Sequence, residues 1–202
     1  MTRPLHIVGI GGTTRADSSS EQALGIALDL AAAAGASTRR FGAVELAQLP
    51  MYAPDSVARN AVAEDLVAEL RQADGLIIAS PGYHGSISGL VKNALDHIED
   101  LREDERPYLA DRSVGLITTA YGWQATVTTL AHLRAVVHAL RGWATPYGAT
   151  VNSAQTAFAD GTCSDKNVLR QLQTVTDETL RFAGLMVAGR ELACVAADPA
   201  AA

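Results

Sequence analysis

The sequence has few of the residues that mark disulfide-stabilised or metal-binding proteins. Cysteine occurs only twice among 202 residues, as Cys163 and Cys194, which are too far apart to form a metal-ligand spacing. The chain also runs from Met1 into its first apolar segment without the hydrophobic core of a secretory signal. We therefore expect a reduced, cytoplasmic protein with no bound metal.

Positive charge is also scarce. Sixteen lysines and arginines against 22 aspartates and glutamates leave a net charge of −6, which disfavours nucleic acid or an anionic membrane as a partner. Residues 113–133 contain no Asp, Glu, Lys or Arg, yet six serines and threonines, with Gly122, Gln124 and His132, make them too polar to span a membrane. We expect neither a nucleic-acid nor a membrane partner.

What the chain does contain is an alternation of short apolar runs and longer amphipathic segments. This alternation is typical of an α/β domain with a parallel sheet. The predicted strands are Leu5–Gly11, Ser37–Phe41, Gly75–Ser80, Val114–Thr118 and Thr145–Val151. The predicted helices are Ser20–Ala34, Asn60–Ala73, Gly89–Asp100, Gln124–Arg141 and Asp165–Val187. No linker divides the chain, so we expect residues 1–190 to form a single domain, followed by a C-terminal tail, 191–202.

The loop after the first strand contains the first candidate site, because ligands of open parallel sheets bind beyond the carboxyl ends of the strands. The loop begins Gly9-Ile10-Gly11-Gly12-Thr13-Thr14. Thr14 replaces the third glycine of a dinucleotide fingerprint, and the Gly-Lys-Ser/Thr ending of a P-loop is absent. No acidic residue closes the second strand to hold a ribose, although Arg39 and Arg40 leave an NADP-type site open.

Hydroxyl groups and one arginine dominate the rest of this loop. Thr13, Arg15, Ser18 and Ser20 lie at the start of a predicted helix. Hydroxyls beside free N–H groups at a helix N-terminus suit a compact dianion, and a guanidinium forms forked contacts with phosphate. In the alternative interpretation, Ser18 or Ser20 only caps the helix and Arg15 points into solvent.

The loop after the third strand, Pro81-Gly82-Tyr83-His84-Gly85-Ser86, is rich in small residues. Glycine allows close approach to the backbone, so this loop suits a planar ring that meets backbone N–H donors and the Tyr83 side chain. The alternative is a tight strand-to-helix connection in which His84 is an ordinary polar residue. A hydrolase triad of Ser86, His84 and Asp96 is rejected, because the Gly-x-Ser-x-Gly turn is absent.

The two loops together resemble those of the NADPH-dependent FMN reductases of the flavodoxin-like superfamily. That family has Gly-Ser/Thr-x-Arg-x-x-Ser after the first strand, then Pro-x-Tyr-x-x-Ser and Gly-x-x-Lys-Asn/Thr-x-Leu/Ile-Asp after the third. This chain has Gly12-Thr13-Thr14-Arg15-Ala16-Asp17-Ser18, Pro81–Ser86 and Gly89-Leu90-Val91-Lys92-Asn93-Ala94-Leu95-Asp96. The resemblance implies a flavodoxin-like three-layer sandwich whose five parallel strands have the order 2-1-3-4-5.

The resemblance also implies the cofactor and its contacts. The phosphate of FMN would be held by Thr13, Arg15, Ser18 and Ser20, and its ring would lie along Pro81, Gly82, Tyr83, His84, Gly85 and Ser86. Ala120 and Gly122, after the fourth strand, would close the other side, although many relatives have paired glycines where this chain has Ala120 and Tyr121. NADPH or NADH would pass a hydride to N5 of FMN, so no side chain is expected to act as a catalytic acid or base.

The fourth predicted helix bears on the identity of the electron acceptor. Residues 129–141 look like the fourth helix of flavin reductases in two-component monooxygenase systems, in which an inserted Tyr or His forms a π-bulge that aids flavin release. His138 aligns with that position, which implies an enzyme that supplies reduced FMN to a partner monooxygenase. The alternatives are a quinone, azo-dye or metal-ion reductase with fixed FMN, and a flavodoxin-like electron carrier. Relatives pair through helices beside the flavin, so a homodimer or homotetramer is expected.

Overall fold

Five parallel strands form the centre of the protein. The computed structural model describes residues 3–15, 17–54, 60–156 and 158–197, with side chains up to residue 193. The first six strands are β1 (His6–Gly11), β2 (Ser37–Phe41), β3 (Gly75–Tyr83), β4 (Ser86–Ile87), β5 (Ser113–Ala120) and β6 (Trp143–Asn152). The sheet order is β2-β1-β3-β5-β6, and β4 pairs with β3 alone. Counted over the parallel strands, this is the predicted order 2-1-3-4-5.

Helices cover both faces of the sheet. They are α1 (Ser19–Ala33), α2 (Ala43–Leu46), α3 (Ala61–Gln72), α4 (Gly89–Asp96), α5 (Trp123–Ala139) and α6 (Lys166–Ala197). A 3-10 segment, His97–Leu101, follows α4, and a short antiparallel pair, β7 (Phe158–Ala159) and β8 (Thr162–Cys163), precedes α6. Cys163 is free and buried, and the side chain of Cys194 lies outside the described residues.

Successive side chains of the central strands point to opposite faces of the sheet. In β3, Ile77 packs into one apolar cluster with α1 and α6, whereas Leu76 and Ile78 pack into the other with α3, α4 and α5. This arrangement explains why β3 appears as one continuous apolar run, since a strand covered on both faces needs apolar residues at every position.

Several boundaries differ from the prediction. β3 continues past Ser80 to Tyr83, because Pro81 still pairs with β5 and the next two residues pair with β4. The helix predicted to reach Asp100 changes to 3-10 geometry at His97, and α6 extends to Ala197 rather than ending at Val187. α6 therefore runs past residue 190, where we expected a tail to begin. No helix in the described ranges is long and apolar enough to cross a membrane.

A buried carboxylate lies at the amino ends of the strands, opposite the predicted site. Asp74 accepts two hydrogen bonds from the Arg3 guanidinium, at 2.6 and 2.8 Å, and one from the His6 N–H at 2.9 Å. Arg190 of α6 donates a further bond at 3.2 Å. Burial opposes ionisation of Asp74, but the hydrogen bonds and the two cations outweigh it and lower the pKa of this carboxyl. Asp74 thus links Arg3 and α6 to the amino end of β3.

Candidate functional site

A cleft of about 260 Å³ lies beyond the carboxyl ends of the central strands. The loops after β1, β3 and β5 form its walls, as expected where the strand order reverses. The predicted residues that line it are Thr13, Arg15, Ser18, Ser20, Pro81, Gly82, Tyr83 and Ala120. A larger hollow of about 660 Å³ lies beside the 3-10 segment, but Asp96, Glu99, Asp100 and Glu103 among its lining residues make it unsuitable for an anion.

Side-chain hydrogen bonds fix the loop after β1. The Thr13 hydroxyl oxygen accepts from the Arg15 N–H at 3.0 Å and donates to the Arg15 carbonyl at 3.2 Å. Ser18 is the N-cap of α1, where its hydroxyl accepts from the Glu21 N–H at 3.3 Å. The Ser20 hydroxyl lies 3.2 Å from that of Ser18. The capping interpretation is therefore correct for Ser18, and the same hydroxyls also line the cleft.

Arg15 is the cation of this cleft. Its side chain is exposed, and its guanidinium forms no hydrogen bond or ion pair with any residue in the part of the chain that the structure describes. A guanidinium in that state keeps all of its donors available for a ligand. Together with the N-terminus of α1, it gives this end of the cleft the character of an anion site.

The loop after β3 is a β-hairpin rather than an irregular connection. Gly82 pairs with Ile87 and Tyr83 pairs with Ser86, which leaves two residues, His84 and Gly85, in the turn. Both have positive φ, 49° and 88°, as a type I′ turn requires. Pro81, Gly82 and Tyr83 line the cleft, whereas His84, Gly85 and Ser86 are not among the lining residues.

The third wall is the turn between β5 and α5. Asn152, at the end of β6, holds this turn because its Oδ1 accepts from the Gly122 N–H at 3.0 Å. Ala120 lines the cleft and Gly122 does not. The Tyr121 side chain is 83% exposed at the mouth of the cleft. An apolar ring in that position, on an anchored backbone, is available to stack on a planar ligand.

The prediction missed some residues that line the cleft: Ser19, Ala125 and Ser153. Ser153 follows β6, and the carboxyl-end rule, applied to the fifth parallel strand as well as to the others, would have found it. Ala125 lies in the first turn of α5, which approaches the hairpin closely: a Cβ placed on Gly82 would lie 2.5 Å from the Thr129 hydroxyl of the same helix.

His138 lies apart from the cleft. α5 is α-helical throughout Trp123–Ala139, so this range contains no π-bulge. His138 is exposed in the last turn of the helix and is not among the cleft-lining residues. The geometry of the single chain therefore gives it no contact with the site.

Comparison with protein-family models gives a match to NADPH-dependent FMN reductase over residues 5–156. Among curated proteins, an FMN-dependent NADPH-azoreductase of Staphylococcus haemolyticus is 39% identical over 100 residues, covering 49% of this chain and 50% of the relative. One from Staphylococcus aureus is 39% identical over 92 residues, covering 46% of this chain and 44% of the relative. The chain therefore matches about half the length of these curated relatives.

Solved structures share the fold. FerB, a flavoenzyme NAD(P)H:(acceptor) oxidoreductase from Paracoccus denitrificans, has a TM-score of 0.72 at 19% identity, covering 90% of this chain and 98% of its own. The apo form of an NADH:FMN oxidoreductase has a TM-score of 0.68 at 23% identity, covering 87% and 88%. At these identities, the likeness concerns the fold alone.

Proposed function

The chain belongs to the NADPH-dependent FMN reductase family, and on that premise we propose that it is an FMN-dependent NAD(P)H oxidoreductase. The observation that carries the proposal is the cleft itself, which joins the hydroxyl-rich loop after β1 to the hairpin after β3. These are the two segments in which the family motifs lie.

The residues present fit FMN. Its phosphate requires an anion site, and the unpaired Arg15 guanidinium beside the hydroxyls of Thr13 and Ser20 at the start of α1 provides one. Its ring requires a flat wall that the backbone can approach, and Pro81 and Gly82 provide that wall. When bound there, FMN supplies the group that accepts a hydride from the nicotinamide.

The protein itself would bind and orient FMN and shield its ring from water. Among the described residues that line the cleft, none is Asp, Glu, His, Lys or Cys. The lining therefore offers hydrogen bonds and one cation, and it holds no side chain suited to proton transfer near neutral pH. Tyr83 and Tyr121 would cover the ring side of the cleft and exclude water from it.

The test is direct binding and turnover with the whole chain. The fluorescence of FMN should be quenched when the protein binds it, and NADPH or NADH should be oxidised only when FMN is present. Arg15→Ala should weaken FMN binding by about tenfold or more, since a charge-assisted hydrogen bond to phosphate is lost. Arg181→Ala, on the exposed surface of α6, is the matched control and should leave binding unchanged. Equal FMN affinity in wild type and Arg15→Ala would refute the phosphate assignment.

Two acceptor classes are proposed. In the first, FMN is itself the substrate, and reduced FMN passes to a partner monooxygenase. In the second, FMN stays bound and an azo compound or quinone takes the electrons; the names of the curated relatives favour this class. Protein that is yellow after gel filtration, and whose rate of NAD(P)H oxidation saturates with the concentration of a dye, supports the second class. Colourless protein whose rate of NAD(P)H oxidation saturates with free FMN, and which sustains the activity of a flavin-dependent monooxygenase, supports the first class.

We also propose a homodimer or homotetramer in the cytoplasm. Trp123 and Val127 of α5 and Trp143 of β6 are large apolar side chains that are more than half exposed in the single chain. A subunit contact would cover apolar surface of this kind. Light scattering coupled to size exclusion measures the state, and a strictly monomeric enzyme would contradict the proposal.

A further inference from the structure

A carboxylate lies directly behind the loop proposed to hold the phosphate. Glu21 is the third residue of α1, and its side chain is only 13% exposed. Its two oxygens fill the space between two backbone turns, because a Cβ on Gly12 would collide with Oε2 and a Cβ on Gly42 would collide with Oε1. Glu21 therefore packs against the turn that leads from β1 into the cleft.

The surroundings of Glu21 neutralise its charge only in part. Its Oε2 accepts from the Ala43 N–H at 3.3 Å, and the half-exposed Arg40 of β2 lies 3.8 Å from Oε1. Two like charges also face it, Asp17 from the loop and Glu45 from α2. Burial raises the pKa of the Glu21 carboxyl, with Asp17 and Glu45 adding to the effect and Arg40 and the Ala43 N–H opposing it.

We propose that Glu21 is an affinity-determining residue that weakens the hold of the cleft on phosphate, and so favours exchange of FMN. The inference rests on the proposed function, and it concerns which kind of FMN enzyme the chain is. The carboxylate lies in the N-terminal turn of α1, where its negative charge offsets part of the positive end of the helix dipole. A ligand dianion on the cleft side of the loop is repelled by the same charge.

The charge of Glu21 can be separated from its packing. Glutamine has the same shape and keeps an oxygen to accept from the Ala43 N–H, so Glu21→Gln removes the charge and retains the contact between the loop and α2. Riboflavin is the matched ligand, because it has the same ring and no phosphate. Asp29→Asn is the matched variant, because Asp29 is exposed on the same helix and further from the loop.

The experiment measures the dissociation constants of FMN and riboflavin by flavin fluorescence for the wild type, Glu21→Gln and Asp29→Asn. Glu21→Gln should bind FMN about tenfold more tightly than the wild type, as expected for one like charge removed from a partly buried anion site. Riboflavin binding should stay the same, and Asp29→Asn should match the wild type for both ligands. Glu21→Met, which removes the charge without keeping the hydrogen bond, should shift FMN affinity in the same direction.

The pH dependence gives a second readout. As the pH falls through the raised pKa of Glu21, the wild-type residue becomes neutral, and its FMN affinity should approach that of Glu21→Gln. Because the ligand is the same for both proteins, protonation of its phosphate changes both affinities in the same direction. A ratio of the two affinities that does not depend on pH, equal FMN affinities at neutral pH, or an equal change for riboflavin would each overturn the inference. Wild-type protein that binds no FMN would instead refute the proposed function.

Discussion

Replacing Gly82 with alanine tests the packing of the cleft wall most sharply. The new Cβ would lie 2.5 Å from the Thr129 Oγ1 and 3.2 Å from the Ala120 Cβ. Thr129 cannot turn away without cost, because its buried hydroxyl donates to the Ala125 carbonyl at 2.8 Å. One methyl group added to a filled contact of this kind costs about 1–3 kcal/mol of the free energy of unfolding.

The same substitution should also reduce FMN affinity, because the hairpin must move away from α5 to admit the methyl group and so displaces the wall of the cleft. Urea unfolding gives the stability, and flavin fluorescence gives the dissociation constant. Gly89→Ala is the matched control, since a Cβ there meets nothing within 4 Å, and it should lower neither the stability nor the FMN affinity.

A double variant shows whether the clash is the cause. Thr129→Ala removes the oxygen that the new methyl group of Gly82→Ala would strike. Gly82→Ala should therefore lower the free energy of unfolding much less in the Thr129→Ala background than in the wild type. Gly82→Ala protein with wild-type stability and FMN affinity would refute this description of the wall. A loss that Thr129→Ala does not relieve would place its cause elsewhere.

Two further predictions concern other parts of the fold. Asp74→Asn should lower the free energy of unfolding at neutral pH by about 1–2 kcal/mol, because it weakens the charge-assisted hydrogen bonds of a buried carboxylate with Arg3 and Arg190. Because folding lowers the pKa of Asp74, its contribution to the free energy of unfolding is present above the unfolded-state pKa and is lost as the pH falls through the folded-state pKa. The free energies of unfolding of wild type and variant should therefore converge at acid pH. Gly12→Ala should weaken FMN binding more than riboflavin binding in parallel titrations, because φ at Gly12 is 117° and the methyl group would strike Glu21. Equal weakening for both flavins would contradict the second prediction.

The sequence predicted the central strands β1 and β3 because both are buried on both faces and appear as nearly continuous apolar runs. The order of the strands followed from the family resemblance. The sequence did not predict the length of β3 or of α6. Proline and glycine at positions 81 and 82 normally end a strand, but pairing with β5 and β4 overrides that preference. Gly184 and Gly189 each disfavour a helix interior by about 1 kcal/mol, yet α6 continues through both.

The residues of the candidate site were also predicted only in part. Thr13, Arg15 and Pro81 lie in local motifs with recognisable spacing, so sequence alone could select them. Ser153 carries no such motif, and only its place after the fifth parallel strand indicates it. The contacts of Glu21 with Gly12 and Gly42 depend on how α2 meets the loop after β1, which a local motif does not specify. His84 lies within a motif yet is not among the cleft-lining residues, because it occupies the two-residue turn at the tip of the hairpin.

A crystal of the protein grown with FMN tests the central claim most directly. The account predicts one FMN molecule whose phosphate contacts Arg15 and the hydroxyls after β1, and whose ring lies between the Pro81–Tyr83 segment and Tyr121. Density for FMN at another place, or a saturated crystal with this cleft filled by the side chains of the protein, would contradict it.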